Sequence, residues 1–215
     1  MQPVLDMRAV RFGYGASAPV LEGFELRVEP GEKLLVAGAS GAGKSTLLGL
    51  VSGTLLTDHG SIEVMGRDLA TLRAGARDRF RARAMGVIFQ LFNLVPYLGV
   101  VENVLLPMRL TRTKVEDATG RARRLLARLG LDESLVDRPV AQLSVGQQQR
   151  VAAARAFILE PGLVLADEPT SALDPDRRDD FMSLMLEEAE RTGAAVVCVS
   201  HDESLHPHFD RVVRL

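Results

Sequence analysis

The hydrophobic positions of this chain follow two periods that alternate along it. In the opening third Phe24, Leu26 and Val28 alternate with Glu25, Arg27 and Glu29, the two-residue repeat of a half-exposed strand. After the turn Pro30–Gly31, Lys33–Ala37 reads as a buried strand running into a glycine-rich loop. Ile62 and Val64, ahead of Gly66, and the short run Met85–Phe89 add further strand character. The middle of the chain turns helical. Val115, Ala118, Ala122, Leu125, Leu126 and Leu129 keep helical spacing over Val115–Leu129, and Gly130 supplies a stop. In the last third Leu163–Ala166 is a strand, and Asp174–Pro175 opens a helix as cap and first residue. Phe181, Met182, Met185, Leu186 and Ala189 mark that helix's buried face, with Gly193 at its end. Ala194–Val199 then reads as a central strand and Arg211–Leu215 as an edge strand. Strands alternating with helices of these lengths predict an α/β fold with a mostly parallel sheet, and the opening strands predict an attached antiparallel portion.

Composition narrows the function classes. At 215 residues, 47% hydrophobic and 25% charged, the chain is ordinary globular material with room for one core. Its 26 basic and 28 acidic residues leave a net charge of −2, which provides no whole-protein field for nucleic acid or an anionic membrane. One cysteine, Cys198, excludes an internal disulfide framework and a thiolate metal cluster. The amino terminus carries no secretory signal. The longest largely apolar stretches, such as Leu47–Leu56 and Ala194–Val199, fall far below the roughly 20 residues that cross a bilayer. A soluble, cytoplasmic chain is expected.

The first chemistry lies in Gly38-Ala39-Ser40-Gly41-Ala42-Gly43-Lys44-Ser45-Thr46, which fits the phosphate-loop pattern G-x-x-x-x-G-K-[ST]. Glycines let the backbone turn tightly and aim successive amides at phosphate oxygens, and the following helix adds its positive end. Lys44 is expected on the β and γ phosphates, and the Ser45 hydroxyl on Mg²⁺. An apolar strand precedes the loop and an apolar helix follows it, as the pattern requires. A second site feature closes the strand Leu163–Ala166 with Asp167-Glu168. Acids at the carboxyl end of a parallel strand face the place where ligands of such sheets gather. Asp167 is read as the Mg²⁺ carboxylate and Glu168 as the group that orients or deprotonates the attacking water. Alone, such a pair is as readily a helix cap.

Leu143-Ser144-Val145-Gly146-Gln147 opens an apolar helix with a Ser-x-Gly turn, which is either a plain serine cap or a second anion site. Here the chain resembles the ATP-binding cassette ATPases, whose LSGGQ signature it carries as LSVGQ. The resemblance spans essentially all 215 residues, with the motifs in family order. It implies one nucleotide-binding domain over 1–215 with a helical subdomain at about 91–160. It further implies a phosphate loop at Gly38–Ser45, Ser144, Gly146 and Gln147 as ATP contacts, and a Walker B strand ending at Asp167 with Glu168 catalytic. The Q-loop glutamine would be Gln90, a further Mg²⁺ contact, and the switch histidine His201. Ser171–Asp174 resembles the D-loop, and Tyr14 the aromatic that stacks on adenine. Phe12 is the competing aromatic, read instead as an inward strand residue. Val145 departs from the family's glycine. A β-branched residue disfavours positive φ, so either that position is not left-handed or the loop is displaced.

The family further implies a head-to-tail pair of copies sandwiching two ATP molecules, with Mg²⁺. Among its branches, a subunit that powers a separate membrane protein competes with a soluble mechanical or regulatory ATPase. One phosphate loop and the lack of a heptad insert favour the first. The segment FQLFNLVPYLGVVENVLLP most resembles the lipoprotein-release, macrolide-export and division-associated branch, and residues around Phe92–Val101 are the expected floor of a docking groove. Such a subunit sits at the cytoplasmic face of the membrane through its partner. Elsewhere Cys198 reads as core, and His59, His206 and His208 lack a metal-like setting. Arg67, Arg73, Arg77, Arg79, Arg81 and Arg83 read as a solvated helical face, since no interleaved aromatics point to nucleic acid.

Overall fold

A computed structural model describes residues 2–15 and 18–215. Five parallel strands form the main sheet: β3 (Lys33–Ala37), β6 (Met85–Ile88), β7 (Leu163–Asp167), β8 (Ala195–Ser200) and β9 (Arg211–Arg214), in the order β6-β7-β8-β3-β9. A second, antiparallel sheet has the order β2-β1-β4-β5, from β1 (Leu5–Phe12), β2 (Leu21–Val28), β4 (His59–Val64) and β5 (Arg67–Asp68). The expected combination of a mostly parallel sheet with an antiparallel portion is therefore present.

Period-two side-chain alternation divides the core. Leu35, Val164, Ala166, Val196 and Cys198 face one side of the parallel sheet. They pack there with α3 (Val100–Thr111), α4 (Ala118–Arg128), α5 (Val145–Phe157) and α6 (Pro175–Thr192). Leu34, Val36, Leu163, Leu165, Val197 and Val199 face the other side and pack with α1 (Lys44–Val51) and the antiparallel sheet. Covering both faces is what makes these strands continuously apolar rather than alternating. Cys198 is fully buried, and burial pushes its thiol pKa up, so it is a core residue.

Three local readings change. Helix α4 starts at Ala118, later than its apolar spacing suggests. Asp117 takes a left-handed conformation (φ 51°) and caps the helix by accepting from the Gly120 amide at 3.0 Å. Val115 packs against the core from outside the helix. The basic stretch is only partly a solvated face. Arg67 lies in β5 over the ring of Phe80, and Arg73 stands at the N-cap position of α2 (Ala74–Ala84). Arg77 reaches back to donate to the carbonyls of Gly53 and Leu72 at 2.8 and 2.9 Å. Strand β8 is the middle strand of five, as expected, but runs one residue further, through Ser200.

Gly86 in β6 meets α5 at backbone contact. A Cβ there would lie 2.4 Å from the Ala156 carbonyl oxygen, well inside van der Waals distance. Gly86→Ala is expected to destabilise the fold by about 3 kcal/mol, since neither backbone can move without breaking ladder or helix hydrogen bonds. Thermal unfolding checks this, and an unchanged midpoint would show that α5 can lift off the strand.

Candidate active site

Four neighbouring strands end at one edge of the parallel sheet, and their register brings those ends level. Ala37 stands opposite Ser200, and Asp167 opposite Val199. Ser40–Thr46 therefore follows β3, Gln90 follows β6, Asp167 and Glu168 follow or close β7, and His201 follows β8 around one cleft of about 350 Å³. Tyr14, Val20, Ser40, Gly41, Gly43, Lys44, Ser45 and Thr46 line it together with Gln90, Asp167, Glu168 and His201. Gly38 and Ala39 form the base of the loop and Ala42 its crest, where the Ala42 amide donates to the Ala39 carbonyl at 3.2 Å.

Gly43 shows why the loop needs glycine. Its φ is 99°, and a Cβ there would sit 2.7 Å from Val20 Cγ1. The turn it makes starts α1, whose first-turn amides face the loop. Lys44 is 7% exposed, and its ammonium donates to the Gly38 and Ala39 carbonyls at 2.7 and 3.0 Å. Those bonds satisfy a buried cation and hold it over the loop.

Glu168 is fixed from several sides. Its φ of 44° is a left-handed conformation that costs a non-glycine residue about 1–2 kcal/mol. Its amide donates to the Val199 carbonyl at 3.0 Å, and its own carbonyl accepts from Ser171 at 3.2 Å. The Ser200 hydroxyl donates to Oε2 at 3.0 Å. On Oε1, His201 Nδ1 stands at 2.9 Å and Lys44 Nζ at 3.5 Å. A carboxylate held by such contacts cannot swing away from the cleft. Asp167, beside it, has its pKa raised by burial, with the Ser45 hydroxyl hydrogen bond acting the other way. Ser45, Asp167 and Gln90 thus offer a hydroxyl, a carboxylate and an amide oxygen. These are hard oxygen donors of the kind Mg²⁺ takes, so the donor set fits that ion.

Tyr14 is 55% exposed while Phe12 is buried in β1. The Tyr14 ring packs edge-on against Phe12 with centroids 5.0 Å apart, and its hydroxyl shares a 3.1 Å hydrogen bond with Thr46. A ring so tethered presents a fixed apolar surface at the cleft mouth.

Ser144, Gly146 and Gln147 are not brought into this cleft. Ser144 caps α5, and a reciprocal pair closes the cap: Gln147 N donates to Ser144 Oγ, and Ser144 N donates to Gln147 Oε1 at 2.9 Å. Val145 is the first helical residue, without positive φ and 48% exposed. The position is not left-handed, so valine fits without strain, and α5 presents its amino-terminal end outward.

Sequence reasoning passed over three residues here. Ser200 anchors Glu168, and its place directly before His201 in Ser200-His201-Asp202 is the signal that could have found it. Gln149, fully buried, donates to the Pro169 carbonyl immediately after Glu168, linking α5 to the acidic strand end. Arg155 binds the segment after Gln90, and nothing local in the sequence marks it. The expected docking segment also divides. Val100 is fully buried, whereas Leu91 and Tyr97 are more than four-fifths exposed. Asn103, itself buried, pins the loop between them through the Val95 amide and the carbonyls of Val95, Leu98 and Gly99. A mostly apolar groove of about 260 Å³ lies next to this segment, between α2, α3 and α5, and shares Asn93 with it.

Comparison with known proteins agrees with this geometry. Residues 21–171 match the family described as ABC transporter. The lipoprotein-releasing system ATP-binding protein LolD of Pseudomonas fluorescens is 42% identical over 199 residues, covering 93% of this chain and 87% of that protein. The macrolide export ATP-binding/permease protein MacB of Pasteurella multocida is 37% identical over 217 residues, of which this chain spans 33% of the whole. Among solved structures, the ABC transporter cassette MJ0796 superposes with a TM-score of 0.89 at 32% identity, over 98% of this chain and 94% of that one. One of its dimeric structures is a post-hydrolysis state bound to ADP and Pi. A phosphate loop, an acidic strand end and a capped signature helix set around one parallel sheet, with these relatives along nearly the whole chain, place it in the ABC transporter family as an ATPase subunit.

Proposed function

We propose that this chain hydrolyses ATP as a head-to-tail pair of copies and thereby powers a membrane complex of the lipoprotein-release or macrolide-export kind. One observation carries the pairing. The cleft gathers the phosphate loop, Gln90, Asp167, Glu168 and His201, whereas Ser144 and Gly146 stand apart at an outward-facing helix end. A helix terminus with unpaired amides is an anion site, and the anion it suits is the γ-phosphate of ATP on a second copy. Closure of the two copies supplies the missing donors and excludes water.

Within each cleft, Tyr14 stacks on adenine and the amides of Gly38–Thr46 wrap the phosphates. Lys44 neutralises the β and γ oxygens. Ser45, Asp167 and Gln90 would hold Mg²⁺, which when bound would supply positive charge to offset that developing on the phosphates. Glu168 accepts a proton from the attacking water, and the fixed carboxylate keeps that water in line. His201, touching Glu168 Oε1, orients the carboxylate and faces the γ-phosphate. The chain reads as one nucleotide-binding domain with a helical part at about 91–160. Its partner surface is the apolar segment after Gln90 together with the adjoining groove, against which a partner helix would pack. No helix among the described residues is long and apolar enough to cross a membrane. The subunit would sit at the cytoplasmic face through its permease. Nucleic acid has no part in this reading.

Specific ATPase activity measured across a dilution series is expected to rise with protein concentration through the monomer–dimer transition. Undiminished activity in a form shown by sedimentation to be monomeric would overturn the paired site.

A further inference from the structure

Arg155 lies on α5, far along the helix from the signature cap, and, like Arg77, it is held by backbone carbonyls. No carboxylate among the described residues lies within ion-pair distance of it. Instead its two terminal nitrogens donate to consecutive backbone carbonyls, Asn93 O at 2.6 Å and Phe92 O beside it. Phe92 and Asn93 have φ of 58° and 48°, left-handed conformations that asparagine tolerates but that cost phenylalanine about 1–2 kcal/mol. The turn they close is tight, since the Phe92 amide donates to the Phe89 carbonyl at 2.9 Å. Gln90 and Leu91 are therefore the central residues of a turn whose exit the guanidinium holds.

A desolvated cation with carbonyl dipoles as its partners is an expensive way to fasten a loop. Burial indeed lowers the Arg155 pKa. The planar guanidinium fixes the directions of both hydrogen bonds at once, whereas an ammonium, which on Lys44 also reaches two adjacent carbonyls, leaves them free to pivot. We propose that Arg155 is a positioning residue for hydrolysis, clamping the turn that carries Gln90 to helix α5 so that Gln90 and the signature end of that helix move as one body. The inference rests on Gln90 serving the Mg²⁺ and γ-phosphate end of the site. Helix α5 spans Val145–Phe157, about 20 Å at the helical rise. Its one end meets ATP on the second copy, and its other end grips the Gln90 turn of its own cleft. Arg155 also lines the apolar groove with Asn93, Leu106 and Pro107, so a partner seated there would press on the clamp itself.

A double-mutant cycle on the full chain separates positioning from plain structural support. Arg155→Ala, Gln90→Ala and the double variant are compared by thermal midpoint, ATP affinity and kcat. Arg155→Lys repeats the cycle with the stem and charge kept, should the alanine variant fail to fold. The expected result is ATP affinity within about twofold of wild type and kcat lowered between about 10-fold and 100-fold, the loss a misplaced group causes. The double variant should be no slower than Gln90→Ala, because Arg155 acts through Gln90. Losses that multiply would overturn the clamp while leaving Gln90 in its role, and so would Arg155→Lys turning over at the wild-type rate. Wild-type kcat in Gln90→Ala would instead remove the role of Gln90, and the clamp with it.

Discussion

Glu168→Gln is expected to slow ATP turnover by on the order of 100-fold or more while leaving ATP binding intact, the loss typical of removing a general base. The substitution is nearly isosteric. The amide oxygen can still accept from Ser200, which stands 3.0 Å from Oε2, and the backbone bonds that set the φ of 44° do not involve the side chain. What disappears is the capacity to take a proton and the negative charge facing Lys44 at 3.5 Å. Removing that charge frees Lys44 from a competitor for the triphosphate, so affinity should hold or improve. Single-turnover hydrolysis and nucleotide binding, measured on the same preparation, check both halves. Turnover at the wild-type rate would take Glu168 out of the chemistry.

Lys44→Ala is expected to fail in the opposite half of the cycle. The ammonium is buried, and it donates to the Gly38 and Ala39 carbonyls of the loop and lies 3.5 Å from Glu168 Oε1. Truncation removes a buried cation from the loop and releases both carbonyls at once. A charge-assisted hydrogen bond is worth about 1.5–3 kcal/mol, so ATP affinity should fall by roughly 10-fold to 100-fold, at about 1.4 kcal/mol per tenfold. Equilibrium binding of a fluorescent ATP analogue reads this directly. Unchanged affinity would mean that the amides alone hold the nucleotide, and that Lys44 acts only during the reaction.

The two substitutions sit on features of different legibility. Lys44 was readable because a phosphate loop must be contiguous: the amides that wrap the anion belong to successive residues, and glycine at position 43 is dictated by a φ of 99°. Glu168 was readable only in company. Its strand showed in the apolar run before it, but a carboxylate pair after a strand is equally a cap until the phosphate loop is known to lie nearby. Helix α4 illustrates the reverse case. Apolar spacing extended it to Val115, while the capping geometry of Asp117 ended it at Ala118, a backbone choice that periodicity does not encode.

By itself the sequence determined most of the strands, the helices after the phosphate loop, at the signature and at Asp174, the acidic strand end and the family these resemble, but not helix α3 or the start of α4. Each feature it determined depends on neighbours within a few positions, where local φ/ψ, capping and side-chain period act. Only the tertiary structure decided which distant groups share a space. The level register of β3, β7 and β8 puts Lys44, Glu168, Ser200 and His201 in contact. The packing of α5 puts Gln149 on Pro169 and Arg155 on the Gln90 turn. It also forms an apolar groove at the seam between α2, α3 and α5, beside the segment Phe92–Val101. Such contacts join residues tens to more than a hundred positions apart, and their positions follow from strand order and core packing, which local sequence leaves open.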